Sequence, residues 1–281
     1  MIRISGEPFQ HNQNWPSGSP EGIIVQSMQE ASMVYSYETK DQLSFELQLR
    51  KNIMNSANQM NKSNAQFATF ENSRCNPQYW QLTDTGGFRL QQGVRPSVAI
   101  RDIFQNGSQY AFECAGAMVI IYYHAVLNQI GESLFNQFFQ DIFIYSWHFD
   151  ADLGIRPTYI NSFLLGDVVY FKNPEVAPNT SYWRGENAVV MGEDLYFGHG
   201  LGLMTADQMI QSLNRYRIPG ANASAYLTNV VARPSFKNLY RISMPSRESS
   251  LRKYQYVVIE HNESSIPFDR YRFFLNGIYN R

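Results

Sequence analysis

Apolar residues recur at helical spacing over roughly 24–36, and again from Asp41 to about Met60, where Asp41 is a plausible N-cap. Before them, residues 7–22 are rich in Asn, Gln, Pro, Gly and Ser and read as an irregular arm. Two short runs, 79–82 and 88–90, flank Asp84-Thr85-Gly86-Gly87 and read as a hairpin. A helix follows from Pro96 to Asn106, closed by Gly107. The next helix starts at Cys114 and runs to about Ile130, where Gly131 is placed to stop it. A short helix covers 132–140. The pattern then turns to strands: 142–147, 167–172, 186–191 and 194–198, the last two joined at Gly192-Glu193. A helix at 205–216 ends near Pro219-Gly220, and strand-like runs return at 225–232 and 239–242. Helices first, then antiparallel strands, is an α+β order. No internal repeat interrupts it.

Composition narrows the function classes. The 281 residues suffice for one large domain or two small ones, and 44% hydrophobic content provides a sizeable core. Lys+Arg is 23 against Asp+Glu 24, so no global charge points to nucleic acid or an acidic membrane. Charged residues make only 17%, while Asn, Gln and Ser abound, a surface suited to crowded, insoluble surroundings. Two cysteines, Cys75 and Cys114, give neither a disulfide framework nor a zinc set. The first residues lack the features of a signal peptide, and the longest apolar run, Ala117 to Tyr123, is too short to span a bilayer. The expectation is synthesis in a reducing cytoplasm.

The candidate chemistry centres on Cys114. A thiol at a helix start lies among unpaired N–H groups and the positive end of the dipole, which favour thiolate. Backbone N–H groups there could also hold an oxyanion. A thiolate needs a base and usually a group that orients it. His124 lies ten residues along the same helix, about 15 Å away, and is excluded. His11 sits in the irregular arm, and His148 follows an aromatic run. His199 ends a strand among glycines, as a catalytic histidine does and as a hydrogen-bonded strand-end histidine does. Glu113 is favourable at a helix start for the dipole alone. Glu186 opens a strand beside Arg184 and reads, by itself, as a solvated strand-end carboxylate.

Several longer motifs are shared with one family. They are Tyr-Ala-Phe-Glu-Cys-Ala at 110–115, Leu-Gly-Asp-X-X-Tyr-Phe-Lys-Asn-Pro-Glu at 165–175, Trp-Arg-Gly-Glu-Asn at 183–187 and Gly-Glu-Asp-X-Tyr-Phe-X-His-Gly-Leu-Gly at 192–202. With segments 49–53, 67–70 and 99–103, they resemble the small protein-glutamine γ-glutamyltransferases of spore-forming bacteria, the spore-coat transglutaminases. The resemblance spans residues 1 to about 243.

It implies a papain-like (NlpC/P60-like) α+β core, with a central helix carrying its Cys at the N-terminus against an antiparallel sheet and extra helices around it. It implies an acyltransferase whose nucleophile maps onto Cys114, whose catalytic carboxylate maps onto Glu186 and whose auxiliary carboxylate maps onto Glu113. His199 matches a secondary histidine. Phe67, Trp147 and Trp183 match residues lining a narrow tunnel around the thiol. No cofactor and no metal are implied, and no calcium-loop spacing is present. The implied partners are proteins with accessible Gln and Lys, those of the spore coat, with synthesis in the mother-cell cytoplasm. Neither nucleic acid nor membrane is implied.

Residues 244–281 extend beyond the resemblance. The expected organisation is a catalytic domain at 1–243 and a C-terminal extension at 244–281 packed on it. Residues 245–250 read as a linker, 254–260 as a strand that adds to a sheet edge, and 271–275 as an apolar element. Two other readings stay open: a papain-like Cys114/His199 amidohydrolase or peptidase, and a coat structural protein without activity.

Overall fold

A computed structural model describes residues 1–9, 15–160, 162–244 and 257–279. Its helices are α1 (Pro20–Glu30), α2 (Lys40–Lys62), α3 (Pro96–Gln105), α4 (Cys114–Phe138), α5 (Ala206–Asn214), α6 (Phe236–Ser243) and α7 (Phe268–Tyr279). The short strands are β1 (Ile2–Ile4), β2 (Glu7–Pro8), β3 (Tyr35–Tyr37), β4 (Gln66–Phe67), β5 (Trp80–Leu82), β6 (Phe88–Leu90), β7 (Ala111–Phe112) and β8 (Phe143–Ile144). The main sheet holds β9 (Arg156–Tyr159), β10 (Val168–Lys172), β11 (Gly185–Gly192), β12 (Leu195–Gly198), β13 (Gly202–Met204) and β14 (Tyr226–Arg233). Its order is β13-β12-β11-β10-β14-β9, antiparallel throughout.

The fold is α+β, with α4 as the axis of the core. From Cys114 to Leu127 every residue of α4 is buried, held between α2, α3 and strand β11. The helix has the length and apolarity of a membrane span, but 83% of that apolar window is covered by protein. The sequence test by continuous apolar run missed this length, because isolated polar residues interrupt it. Gly131, at φ 80°, breaks α4 where expected, and the chain resumes as the short helix read at 132–140. Glycine suits the left-handed region because it has no Cβ to clash.

Several local expectations shift. The helix expected at 24–36 begins earlier, at Pro20, because Ser19 caps it by accepting from Gly22 N–H and Pro20 takes the first helical position. It ends at Glu30, and 35–37 becomes strand β3, parallel to β1. Thr39, not Asp41, caps α2. Residues 239–242 are helical within α6, started by the Ser235 side chain. Of the strand expected at 254–260, residues 254–256 lie outside the described residues and 257–260 carry no regular structure. The linker at 245–250 and His11 also lie outside them. Residues 271–275 form part of α7.

The described extension packs on the core by a loop and a helix. Ile259, Ile266, Phe268, Tyr271 and Leu275 join the same apolar cluster as α4. Fully burying one large apolar side chain is worth about 1.5–3 kcal/mol, so these five hold the segment firmly.

One polar knot ties α2 to the sheet. Arg50, fully buried, donates through Nε to Glu46 at 2.9 Å and through Nη1 to Asp167 at 2.8 Å. Arg233 meets the same Asp167 with two more bonds, at 2.7 and 2.6 Å. Burial alone would raise the Asp167 carboxyl, but Arg233 and Arg50 outweigh it and hold it below 3.8. Removing one member strands the opposite charge without water. Asp167→Ala is therefore expected to cost about 3–5 kcal/mol in urea unfolding. Because the folded pKa is depressed, this carboxylate's contribution is complete above the unfolded value of 3.8 and fades as pH falls through the folded value. Urea titrations at pH 7 and pH 3 should show the cost of Asp167→Ala shrinking on the acid side.

Candidate active site

The start of α4 is fixed by Glu113. Its backbone is extended (φ −83°, ψ 168°), and its side chain folds back as the N-cap. Oε2 accepts from Ala115 N–H at 2.9 Å and Oε1 from Gly116 N–H at 2.5 Å. Oε2 also accepts from Ser265 N–H at 3.2 Å, far along the chain. Two helix-start donors, the N–H groups of Ala115 and Gly116, are thus already spent on this cap.

Cys114 is wholly buried. Its Sγ receives a hydrogen bond from Asn187 Nδ2 at 3.2 Å. Burial pushes the thiol well above its usual value of 9.0, and the carboxylates of Glu186 and Glu113 push the same way. Burial and the two neighbouring carboxyls thus work against the ready thiolate expected at this helix start. Cys75 lies apart and half-buried, and burial pushes it to about 11.

Strand β11 supplies the partner. Glu186 pairs with Phe171 and Asn187 with Tyr170 in the ladder to β10. Glu186 is fully buried, not a solvated strand end, and its Oε1 accepts from Gly200 N–H at 3.1 Å. Oε2 is buried with no hydrogen-bond partner. Desolvation lifts this carboxyl to about 8, against the pull of the Gly200 N–H. Gly198 makes the room: a Cβ there would lie 2.7 Å from both Cγ and Oε1 of Glu186.

His199 turns to the backbone. Its Nε2 meets the Gln66 carbonyl oxygen at 3.1 Å, and its ring stacks on Phe112 at 4.5 Å. Loss of solvation pushes its imidazolium to about 4, so it is neutral at pH 7. It thereby clamps the parallel β4–β7 pair to the sheet.

The three aromatic candidates fall into two groups. Phe67 stacks on Trp183 at 5.3 Å, with Tyr182 beside them and Tyr216 on the far face of Trp183. Gly200 lets them close up, since a Cβ there would stand 3.1 Å from Trp183. Trp147 stands elsewhere, under Phe268 at 5.1 Å, with Nε1 donating to the Ile266 carbonyl oxygen at 2.9 Å. Asn187 was part of a quoted motif but drew no role from sequence. Its signal is its position next to Glu186 on a strand, with the opposite facing.

A model of the family described as protein-glutamine gamma-glutamyltransferase matches residues 1–243. A protein of that name from Halalkalibacterium halodurans is 46% identical over 275 residues, 98% of this chain and 97% of that one. Another, from Bacillus pumilus, is 46% identical over 230 residues, 81% of this chain and 93% of its own length. That relative is accordingly shorter than this chain. A solved transglutaminase from Geobacillus stearothermophilus, described as without its C-terminal extension, superposes with a TM-score of 0.71 at 46% identity. It covers 74% of this chain and 100% of that one. With the buried Cys–Glu site in place and this likeness running through the whole catalytic region, the chain belongs to the protein-glutamine gamma-glutamyltransferase family, enzymes of the acyltransferase class.

Proposed function

We propose that Cys114 is the nucleophile of this transferase and that Glu186 moves its protons. The observation that carries this reading is Glu186: a fully buried carboxyl, lifted to about 8, with one oxygen free of partners and close enough to the thiol to raise its pKa. Such a group changes protonation near working pH, as a shuttle must.

The Glu186 carboxylate accepts the thiol proton as Sγ attacks the γ-carbonyl carbon of a protein glutamine. Glu186 returns that proton to the departing nitrogen, ammonia leaves, and a thioester remains on Cys114. A lysine amine then enters as the ammonium ion, the form that dominates at neutral pH. It gives up a proton, attacks the thioester carbon and forms the isopeptide bond, and the thiol is regained. The Glu186 carboxylate takes the ammonium proton and passes it to solvent, where the ammonia already released also ends as ammonium, and the amine's second proton goes to the sulfur as the carbon–sulfur bond breaks. Burial of the pair keeps water from the thioester. Glu113 positions Cys114 by capping α4, and its charge helps keep the resting thiol protonated. His199 acts as a clamp on the site's wall. Phe67 and Trp183 offer aromatic faces that suit an incoming ammonium group.

The hydrolase reading, with His199 as base, gains nothing from its geometry: that ring is engaged with Gln66 and Phe112. The natural substrates in this proposal are spore-coat proteins, joined through their Gln and Lys side chains, with the enzyme made in the mother-cell cytoplasm and assembled onto the coat. The motif resemblance and the weakly charged surface support it. Following cross-links in coat proteins of sporulating cells, with and without an active enzyme, tests it.

Five outcomes test the site itself. Cys114→Ala should abolish incorporation of a labelled amine into a glutamine-bearing protein, Cys75→Ala should keep most of it, and chelation with EDTA should leave it intact. Glu186→Gln should fold normally and lose about 10²–10⁴ in rate, the span of positioned proton transfer, while His199→Ala should lose far less. A dead His199→Ala beside an active Glu186→Gln would favour the hydrolase-like dyad.

The pH profile gives a separate check. With hydroxylamine as acceptor, already neutral in this range, the rate should climb on a limb with its midpoint near 8 as Glu186 becomes a carboxylate. Glu186→Gln removes both that limb and a negative neighbour of the thiol. The midpoint for alkylation of Cys114 should accordingly move to lower pH in this variant. An unmoved midpoint would mean that the two groups do not interact.

A further inference from the structure

The reactive centre is sealed. Cys114, Glu186 and Trp147 are each 0% exposed and Asn187 1%. A glutamine on another protein has no path to Sγ in this arrangement. Part of the seal is the C-terminal extension, whose residues 264–266 lie against the catalytic groups themselves.

The contacts are specific. Ser265 N–H donates to Glu113, and the Ser265 carbonyl accepts from Tyr170 Oη at 3.0 Å. The next carbonyl, that of Ile266, accepts from Asn187 Nδ2 at 3.0 Å and from Trp147 Nε1 at 2.9 Å. The same Asn187 Nδ2 lies 3.2 Å from the Cys114 Sγ. One amide carbonyl is therefore held by two N–H donors immediately beside the nucleophile. A donor glutamine presents the same chemical group, an amide carbonyl, to the same thiol. With Ala115 and Gly116 N–H taken by Glu113, the Asn187–Trp147 pair supplies side-chain donors for such an oxygen.

We infer that the 264–268 segment fills the donor-glutamine subsite as an intramolecular substrate mimic, its Ile266 carbonyl standing where the γ-carbonyl oxygen binds, and that it withdraws to admit substrate. The inference rests on Cys114 being the nucleophile.

The segment is held, yet at a cost. Phe268 packs on Trp147 and Phe149, and Tyr145 hydrogen-bonds the backbone at His261. Glu263 pairs with Arg184 at 3.1 Å and with Arg270 at 2.6 Å. Against these, Ser265 sits at φ 60°, a left-handed conformation unfavourable for a residue with a Cβ. Its hydroxyl is buried against the Cys114 thiol, whose anionic form it favours against the burial. A segment that carries backbone strain in its closed position is poised to leave it. The shorter Bacillus pumilus relative and the Geobacillus structure without its extension both fit a chemistry that proceeds without this segment.

The test uses the full-length chain. Glu263→Lys replaces two half-exposed ion pairs with repulsion, next to the plug and outside the catalytic groups. Apparent affinity falls in proportion to the closed fraction. The KM for a small glutamine peptide should therefore drop about three- to tenfold, the reach of one or two such pairs, with kcat within about twofold. Alkylation of Cys114 by iodoacetamide, located by peptide mass spectrometry, should accelerate by a similar factor. Circular dichroism and Tm check that the variant is folded. Unchanged KM and alkylation in a folded variant, with amine incorporation intact, would overturn the plug and leave the transferase reading standing. Faster alkylation with no amine incorporation by either protein would support the plug and sink the transferase reading. A folded variant with a raised KM would show that the segment builds the subsite instead of filling it, and would also overturn the proposal.

Discussion

One buried carboxylate joins the two parts of this molecule. Glu113 spends its two oxygens on three backbone N–H groups, two at the start of α4 and one in the extension. That choice fixes where Cys114 points, because the helix cannot start elsewhere without losing its cap. It also occupies two of the helix-start donors, while Asn187 and Trp147 hold a carbonyl from the other side. And it sets a second buried carboxyl beside the thiol, its own pKa raised by burial against the pull of the N–H groups it accepts from. The site's geometry, its unusual electrostatics and the seat of residue 265 all follow from this single cap.

The electrostatic result differs from that of a cysteine–histidine pair. An imidazolium beside a thiol stabilises thiolate, whereas here the neighbours are two carboxyls and a desolvated interior, all of which favour the neutral form. Glu186 answers by being a weak acid itself, lifted to about 8. Thiol and carboxyl can then hold one proton between them without creating a buried ion pair. Gly198 is the hidden requirement for this arrangement, since any side chain there would occupy the carboxyl's place. Asp167 shows the opposite solution at the far side of α2: a buried carboxylate kept ionised by two guanidinium groups. One core thus contains an acid held neutral by isolation and another held charged by pairing.

How far the sequence disclosed this depended on the range of the forces involved. The start of α4, the stop at Gly131 and the central strands are local matters of period and glycine placement, and they were legible. The start of α1 was written in Ser19-Pro20 but obscured by the polar arm around it. The helix at 236–243 hid because a short apolar run has no clear period. Glu186 read as a strand-end carboxylate because nothing nearby in the chain says what covers it; its burial comes from β12 and the Gly198–Gly200 turn. The least legible features were those joining distant segments. Asn187 finds its second partner 79 residues on, and Glu113 meets Ser265 across 152 residues. No motif announces such contacts, since each half satisfies its own local rules. The motif resemblance picked out Cys114, Glu186 and Glu113 but ended before the extension that packs on them.

The raised pKa and complete burial of Cys114 bear on more than acyl transfer. Oxidation by peroxides begins from thiolate and needs access, so a neutral, enclosed thiol is a poor entrance to the path from sulfenic to sulfonic acid. Most enzymes with a nucleophilic sulfur depend on reducing surroundings to keep it usable. In the proposed mechanism, the same desolvation that withholds Cys114 until a substrate arrives also shields it from oxidants.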